Sequence, residues 1–208
     1  KCGTSGCMSK ALLIGKAQVE RLGHKGLLKA FDAYGSDSAI LCYLGARMAT
    51  PAGQADASTT LAYITAARKA GRADEIERVT REPQIQYEPQ AVLKLLTSSP
   101  EDGGSGAPLD PRPIINVCDR FDLIEQMAGI FYEQRKLVNV SLYVRKIAPT
   151  KTPEALAGLL DSGCPGATAV ELLSHIDKAA LKKDPTLASR IVTKCDERQQ
   201  LSILREWL

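Results

Sequence analysis

Two cysteines stand in matching frames. Residues 114–123 read IINVCDRFDL and residues 191–200 read IVTKCDERQQ, which sets Cys118-Asp119 and Cys195-Asp196 77 positions apart. A cysteine among charged residues raises the question of nucleophilic catalysis. The thiolate is the reactive form, so such a residue needs a pKa lowered by a base, a cation or a helix N-terminus. An adjacent aspartate acts the other way, because its carboxylate opposes a second negative charge. The bases that could assist, His24 and His175, stand alone in ordinary helical contexts. Cys2 and Cys7 have four residues between them, but no second Cys/His pair completes a zinc site. GxxxxGK(S/T), a GxGxxG after a strand, HExxH and GxSxG are all absent. No catalytic, cofactor-binding or metal-ligating residue is assigned on this reading, and no enzyme is expected.

The frame around the two pairs favours architecture. Ile114 aligns with Ile191, Ile115 with Val192, Ile124 with Leu201, Met127 with Leu204 and Phe131 with Leu208. The apolar matches fall on both sides of Cys-Asp at helical spacing, which predicts a helix, a corner and a second helix, written twice. Aspartate is a favoured N-cap, since its carboxylate accepts from the unpaired amides of a first turn. Asp119 and Asp196 are therefore expected to cap the second helix of each copy, with Gln199 closing a capping box on Asp196. Cys118 is expected to staple onto Leu123.

The rest of the chain is punctuated in the same way. Leu12 to Leu22 forms a stripe ended by Gly23, Leu27 to Tyr34 a second ended by Gly35, and Ser36 caps a third through Met48. A loop is expected at 50–56. Leu61, Ile64, Ala67 and Arg68 share a face that ends at Gly71. Asp74 and Glu75 open the next helix, Pro83 ends it, and Pro89 fits the first turn of QAVLKLL. SSPEDGGSGAPLDPRP at 98–113 has the composition of a flexible loop. The stretch 137–144 alternates as a strand would, yet Leu137, Val140, Val144 and Ile147 also fit a helix; with no partner strand nearby, it is assigned as helix. Thr152-Pro153 then starts a helix that Gly163 closes. About a dozen helices of roughly 8–15 residues are expected, and no strand.

Composition sets wider bounds. Hydrophobic residues make up 44% of the 208 and charged residues 25%, normal for a packed domain, while aromatics reach only 5%. A net charge of +3 with no run of five like charges argues against nucleic acid and anionic membrane as partners. No apolar run approaches the ~18 residues of a membrane span, so no direct insertion is expected. The start, KCGTSGCMSK, lacks both methionine and a signal-peptide centre, which suggests a fragment of a longer chain and reduced cytosolic thiols.

Short helix pairs in succession, each too small to bury its own core, describe an all-α fold, an α-solenoid. From Pro113 to Cys164 the likeness becomes specific. VCDRFD (117–122), Tyr-Val-x-Lys-Ile-x-Pro (143–149), GLLD (158–161) and the closing Trp207-Leu208 resemble the clathrin heavy chain family, in the repeats that build its leg. AARKAGRADEIERVTRE (66–82) and, more loosely, KGLLKAFDAYGS (25–36) extend the resemblance, which is negligible before about residue 16. The loops at 98–113 and 50–56 and the stretch 164–186 depart from the family pattern and mark a divergent member. On this basis 1–15 is a poorly defined end, 16–163 holds repeat-type hairpins, and 164–208 begins a following repeat. Cys118, Asp119, Arg120, Phe121, Asp122, Cys195, Asp196 and Trp207 form the structural signature.

The resemblance implies a coat protein on the cytoplasmic face of coated pits and vesicles, whose partners are other clathrin heavy chain legs in a triskelion lattice. Trimerisation, light chains and most adaptors would engage regions outside this segment. Three rivals remain at this point. They are a vacuolar-sorting tethering subunit with clathrin-type repeats, a helical adaptor binding peptides in a groove, and a cysteine hydrolase.

Overall fold

The computed structural model describes residues 37–98, 110–176 and 178–207, together with Gly26 and Lys29. The expected helices of 12–35, the Ser36 cap, His24, Cys2, Cys7 and the Gly/Pro-rich body of the 98–113 loop lie outside the described residues. Thirteen α-helices and no strand occur among the described residues. The fold is all-α, of the α-solenoid class, and it divides into two compact units, one ending at Val117 and one beginning at Cys118.

In the first unit, α1 (Asp37–Met48) packs against α3 (Ala57–Lys69), with Leu44, Met48, Tyr63, Ile64 and Ala67 buried between them. The 50–56 stretch is not a plain loop. It holds the four-residue α2 (Pro51–Gln54), capped by the Thr50 side chain, which accepts from the Gly53 amide at 3.1 Å. A threonine followed by proline at the first helical position is a start signal in its own right. Gly53 lies so close to the end of α1 that a Cβ there would fall 2.0 Å from the Arg47 carbonyl oxygen.

Asp56 caps α3, accepting from the Ser58 amide and from the Ser58 and Thr59 hydroxyls. These donors hold its carboxyl down at about 2. Two further helices, α4 (Ala73–Arg81) and α5 (Pro89–Thr97), pack on α3. Arg68, expected on the shared face of α3, is buried, and its guanidinium bonds the Leu95 carbonyl and Ser98 at the end of α5. A cation is favourable where helix carbonyls are left unpaired.

Helix α6 (Arg112–Arg120) starts inside the stretch expected as loop, after Asp110 accepts from the Arg112 amide at 2.9 Å. The second unit follows with α7 (Ile124–Glu133), α8 (Leu137–Leu142), a π-helical turn (Tyr143–Ile147) and a 3₁₀ turn (Pro149–Lys151). Beyond these come α9 (Thr152–Asp161), α10 (Gly166–Ser174), α11 (Lys178–Lys183), α12 (Leu187–Glu197) and α13 (Ser202–Trp207). Helix α7 packs chiefly on α9, α9 on α12, and α10 on α13.

The helical assignment of 137–144 holds. Val140, Tyr143 and Val144 are buried while Val138 and Leu142 face out. Ile147, expected on the buried face, is exposed because the π turn advances the register by one residue.

Candidate functional site

Five of the residues singled out in the sequence, Cys118 to Asp122, form the corner after α6. That corner is not an N-cap. Cys118 and Asp119 are still helical, and the left-handed residue is Asp122, at φ 56°. The Leu123 amide donates to the Cys118 carbonyl at 2.8 Å, and the Asp122 amide to the Asp119 carbonyl at 3.4 Å. This is the 6→1 and 5→2 pair of a Schellman C-cap. Helix α7 then starts from Leu123 with no side-chain cap.

The second copy repeats the geometry. Gln199 has φ 57°, the Gln200 amide donates to the Cys195 carbonyl at 2.8 Å, and the Gln199 amide to the Asp196 carbonyl at 2.9 Å. The N-cap and capping-box readings of Asp119, Asp196 and Gln199 are thus overturned. Each Cys-Asp pair supplies the carbonyls that end a helix. The same closure recurs at Gly71, Arg135 and Gly163, all at positive φ, with Ala67, Phe131 and Leu159 as the 6→1 acceptors.

Around this backbone the signature side chains divide the work. Cys118 and Cys195 are fully buried at the acceptor positions, where a small apolar side chain fits. The Asp119 carboxylate accepts from the buried Tyr143 hydroxyl at 2.5 Å. Asp122 pairs with Lys151 at 2.6 Å, and the Arg120 guanidinium lies 5.3 Å from the centre of the Phe121 ring. Two stretches far apart in sequence are therefore joined in space: VCDRFD holds the Tyr143–Lys151 turn through two acids.

The rest of the pattern is placed as well. Gly158, in GLLD, sits where α9 crosses α7, and a Cβ there would lie 1.9 Å from the Glu125 carbonyl oxygen. Asp161, two residues before Gly163, takes a two-pronged bond from Arg198, at 2.7 and 2.6 Å. Arg198, the C-cap of α12, is the last rung of a row that begins on that helix. Arg190 pairs with Glu154 at 2.6 Å and Lys194 with Glu125 at 2.8 Å. Leu187, Ile191 and Cys195 form the buried face of the same helix. Trp207 donates its indole N–H to the Leu173 carbonyl at 3.2 Å, tying α13 to α10, whereas the Asp196 carboxylate is exposed and takes no hydrogen bond among the described residues.

None of this favours thiolate chemistry. Burial, then the Asp119 charge, pushes the Cys118 thiol up to about 12. Burial also raises Cys164 and Cys195. Tyr143 is likewise raised, first by burial and then by its bond to Asp119. His175 is half-buried at the C-terminal end of α10. Among the described residues no three His, Cys, Asp or Glu side chains converge as metal ligands, and no helix is long and apolar enough to cross a membrane.

Spacing alone missed the Asp119–Tyr143 and Asp122–Lys151 links and the acids facing α12. The only advance signal was the i, i+4, i+8 repeat of Arg190, Lys194 and Arg198, one stripe of a helix.

No family model matches the chain. It is similar to Clathrin heavy chain 2 of Homo sapiens, 29% identical over 91% of this chain. It is also similar to Clathrin heavy chain 1 of Arabidopsis thaliana, 29% over 93%, and to Clathrin heavy chain of Drosophila melanogaster, 27% over 91%. In each case it covers 10% of the relative's own length. The chain is a divergent homologue of one segment of these heavy chains.

Proposed function

We propose that this chain is a leg segment of a clathrin-type coat protein, and that it acts by shape and not by chemistry. It would pack with other heavy-chain legs in a lattice on the cytoplasmic face of coated pits and vesicles, during endocytosis and intracellular transport. The single observation that carries the reading is the corner after α6. VCDRFD and the Tyr143–Lys151 turn, the stretches that carry the resemblance, are joined there by Asp119–Tyr143 and Asp122–Lys151.

A leg must transmit load along its length without a cofactor or a catalytic group. Neighbour-to-neighbour packing of short hairpins suits that task, because each hairpin contacts only those beside it. Weak leg-to-leg contacts in large number give avidity and still allow the coat to be dismantled. Within the reading, 16–163 is repeat-type, 164–208 opens a following repeat, and the eight signature residues serve architecture.

The test is the size and company of the parent protein. An antibody against residues 113–208 is used to probe purified small vesicles. A band many times larger than 22.4 kDa that enriches with coats and is released as trimers supports the proposal. A smaller band in a stable hetero-complex on late endosomes would move the assignment to a tethering subunit.

A further inference from the structure

The residues that begin α2 take no part in the signature corner. Three hydroxyl residues in the chain stand directly before a proline, Thr50, Ser99 and Thr152. That dipeptide is the minimal signal of a proline-directed protein kinase, and the structure separates the two members it describes. Thr152 is buried, in helical backbone at φ −58° and ψ −39°, and its hydroxyl donates to the Pro149 carbonyl at 2.7 Å. Thr50 is exposed, with extended backbone at φ −104° and ψ 146°. Extended backbone is what a following proline favours, and it is the form in which a kinase cleft holds its substrate.

The flanks of Thr50 suit the same use. Ala49, Thr50, Pro51 and Ala52 are exposed in succession, and downstream only the four residues of α2 are helical. So short a helix opens at little cost, as does the last turn of α1 before it. Arg47 supplies a cation three residues ahead of the hydroxyl. It is loosely held, because its Nε has no hydrogen-bond partner among the described residues and its pair with Asp56 is 3.9 Å long. Thr193 has a cation at the same spacing, Arg190, but it lies inside α12 and precedes a lysine.

We propose that Thr50 is a phosphorylation site, read by a kinase as Arg47-Met48-Ala49-Thr50-Pro51, and that the phosphate loosens the corner between α1 and α2. In the transfer the Thr50 oxygen attacks the γ-phosphorus of a nucleoside triphosphate. The nucleoside diphosphate leaves, and the hydroxyl proton passes to the catalytic carboxylate of the kinase. That proton is the one Thr50 donates to the Arg47 carbonyl at 2.7 Å. The phosphate also brings about −1.5 to −2 charges to the C-terminal end of α1, where the helix dipole opposes a negative group. Arg47, the nearest cation in sequence, offsets only part of that repulsion.

The test uses the 208-residue chain carrying Ser99→Ala, ATP, and a purified dual-specificity kinase whose substrates have arginine three residues before the acceptor and proline after it. Tandem mass spectrometry of the folded chain should place phosphate on Thr50 and leave Thr152 unmodified. Pro51→Ala should slow transfer to Thr50 at least tenfold with an unchanged circular dichroism spectrum. The phosphorylated chain should melt about 2–4 °C below the unmodified one, the shift that one lost hydrogen bond gives in a chain of this size. No phosphate on Thr50, equal labelling of Thr152, indifference to Pro51→Ala, or an unchanged or raised Tm overturns the proposal. Failure here leaves the coat reading standing, because that reading rests on the corner after α6.

Discussion

The two Cys-Asp corners share a backbone and differ in what hangs from it. Both end a helix with the cysteine carbonyl bonded at 2.8 Å to the amide five residues on, and both bury the cysteine completely. After the first corner, Ile124 opens a ten-residue helix and is buried. After the second, the matching Leu201 is 44% exposed, and a six-residue helix starts one residue later. Asp119 takes a phenol and Asp122 an ammonium, while Asp196 takes nothing described and Gln199 merely bends the chain. The repeated part is therefore the helix ending, which needs a small apolar residue and a tolerant turn. The unrepeated part is the locking of one corner to the turn that follows it.

The largest expected effect tests whether helix crossing or corner locking dominates in this unit. Gly158→Ala places a Cβ against the Glu125 backbone, which cannot retreat as a flexible side chain would. Urea unfolding should show a loss of about 3 kcal/mol, the upper range for overpacking. A loss smaller than that of Tyr143→Phe would place the weight on the corner instead.

Tyr143→Phe removes a buried donor to a carboxylate and should cost about 2 kcal/mol. Its counterpart at the unlocked corner, Asp196→Asn, should stay within about 0.5 kcal/mol. Equal costs would break the comparison. Thiol labelling at pH 8 sharpens it from another side. Cys42 is exposed and should react quickly, whereas Cys118, pushed up to about 12, should react only as fast as the native state opens.

Asp56 is what Asp119 and Asp196 are not, an aspartate that caps a helix start. Asp56→Ala should cost about 1 kcal/mol at neutral pH. Because its folded pKa lies below the ordinary 3.8, at about 2, its contribution is present above 3.8 and disappears as pH falls to about 2. Stability of the wild type and the variant, measured against pH, should converge across that interval.

The smallest effect concerns the left-handed residues. A side chain at positive φ costs roughly 1–2 kcal/mol, of which glycine's entropy returns about 0.5–1. Gln199→Gly should thus stabilise by about 0.5 kcal/mol. Asp122→Gly should gain less, because it also loses the pair with Lys151. A larger gain at Asp122 would mean that its ion pair adds nothing.

These particulars show why parts of the fold were readable in advance. Gly71 and Gly163 at positive φ, and Pro89 at a helix start, are residues whose backbone preference announces their place. Asp122, Arg135 and Gln199 adopt the same left-handed state without that preference, so spacing alone suggests an N-cap at the aspartates beside the cysteines, where the helix has not yet ended. The Thr50-Pro51 start is present in the sequence, but only four helical residues follow it, too few to show a helical period. The partners of Asp119, Asp122 and Asp161 lie 24, 29 and 37 positions away. Local periodicity cannot reach across such separations, and tertiary packing fixes them.

The central claim is that this segment works as one leg among others in a coat. Cross-linking mass spectrometry on coats assembled from equal parts of isotopically light and heavy parent protein tests it most directly. Mixed-isotope cross-links joining residues 37–207 of one copy to another heavy-chain copy are the predicted result. Coats in which this segment cross-links only within its own copy, or only to subunits of a tethering complex, would contradict it.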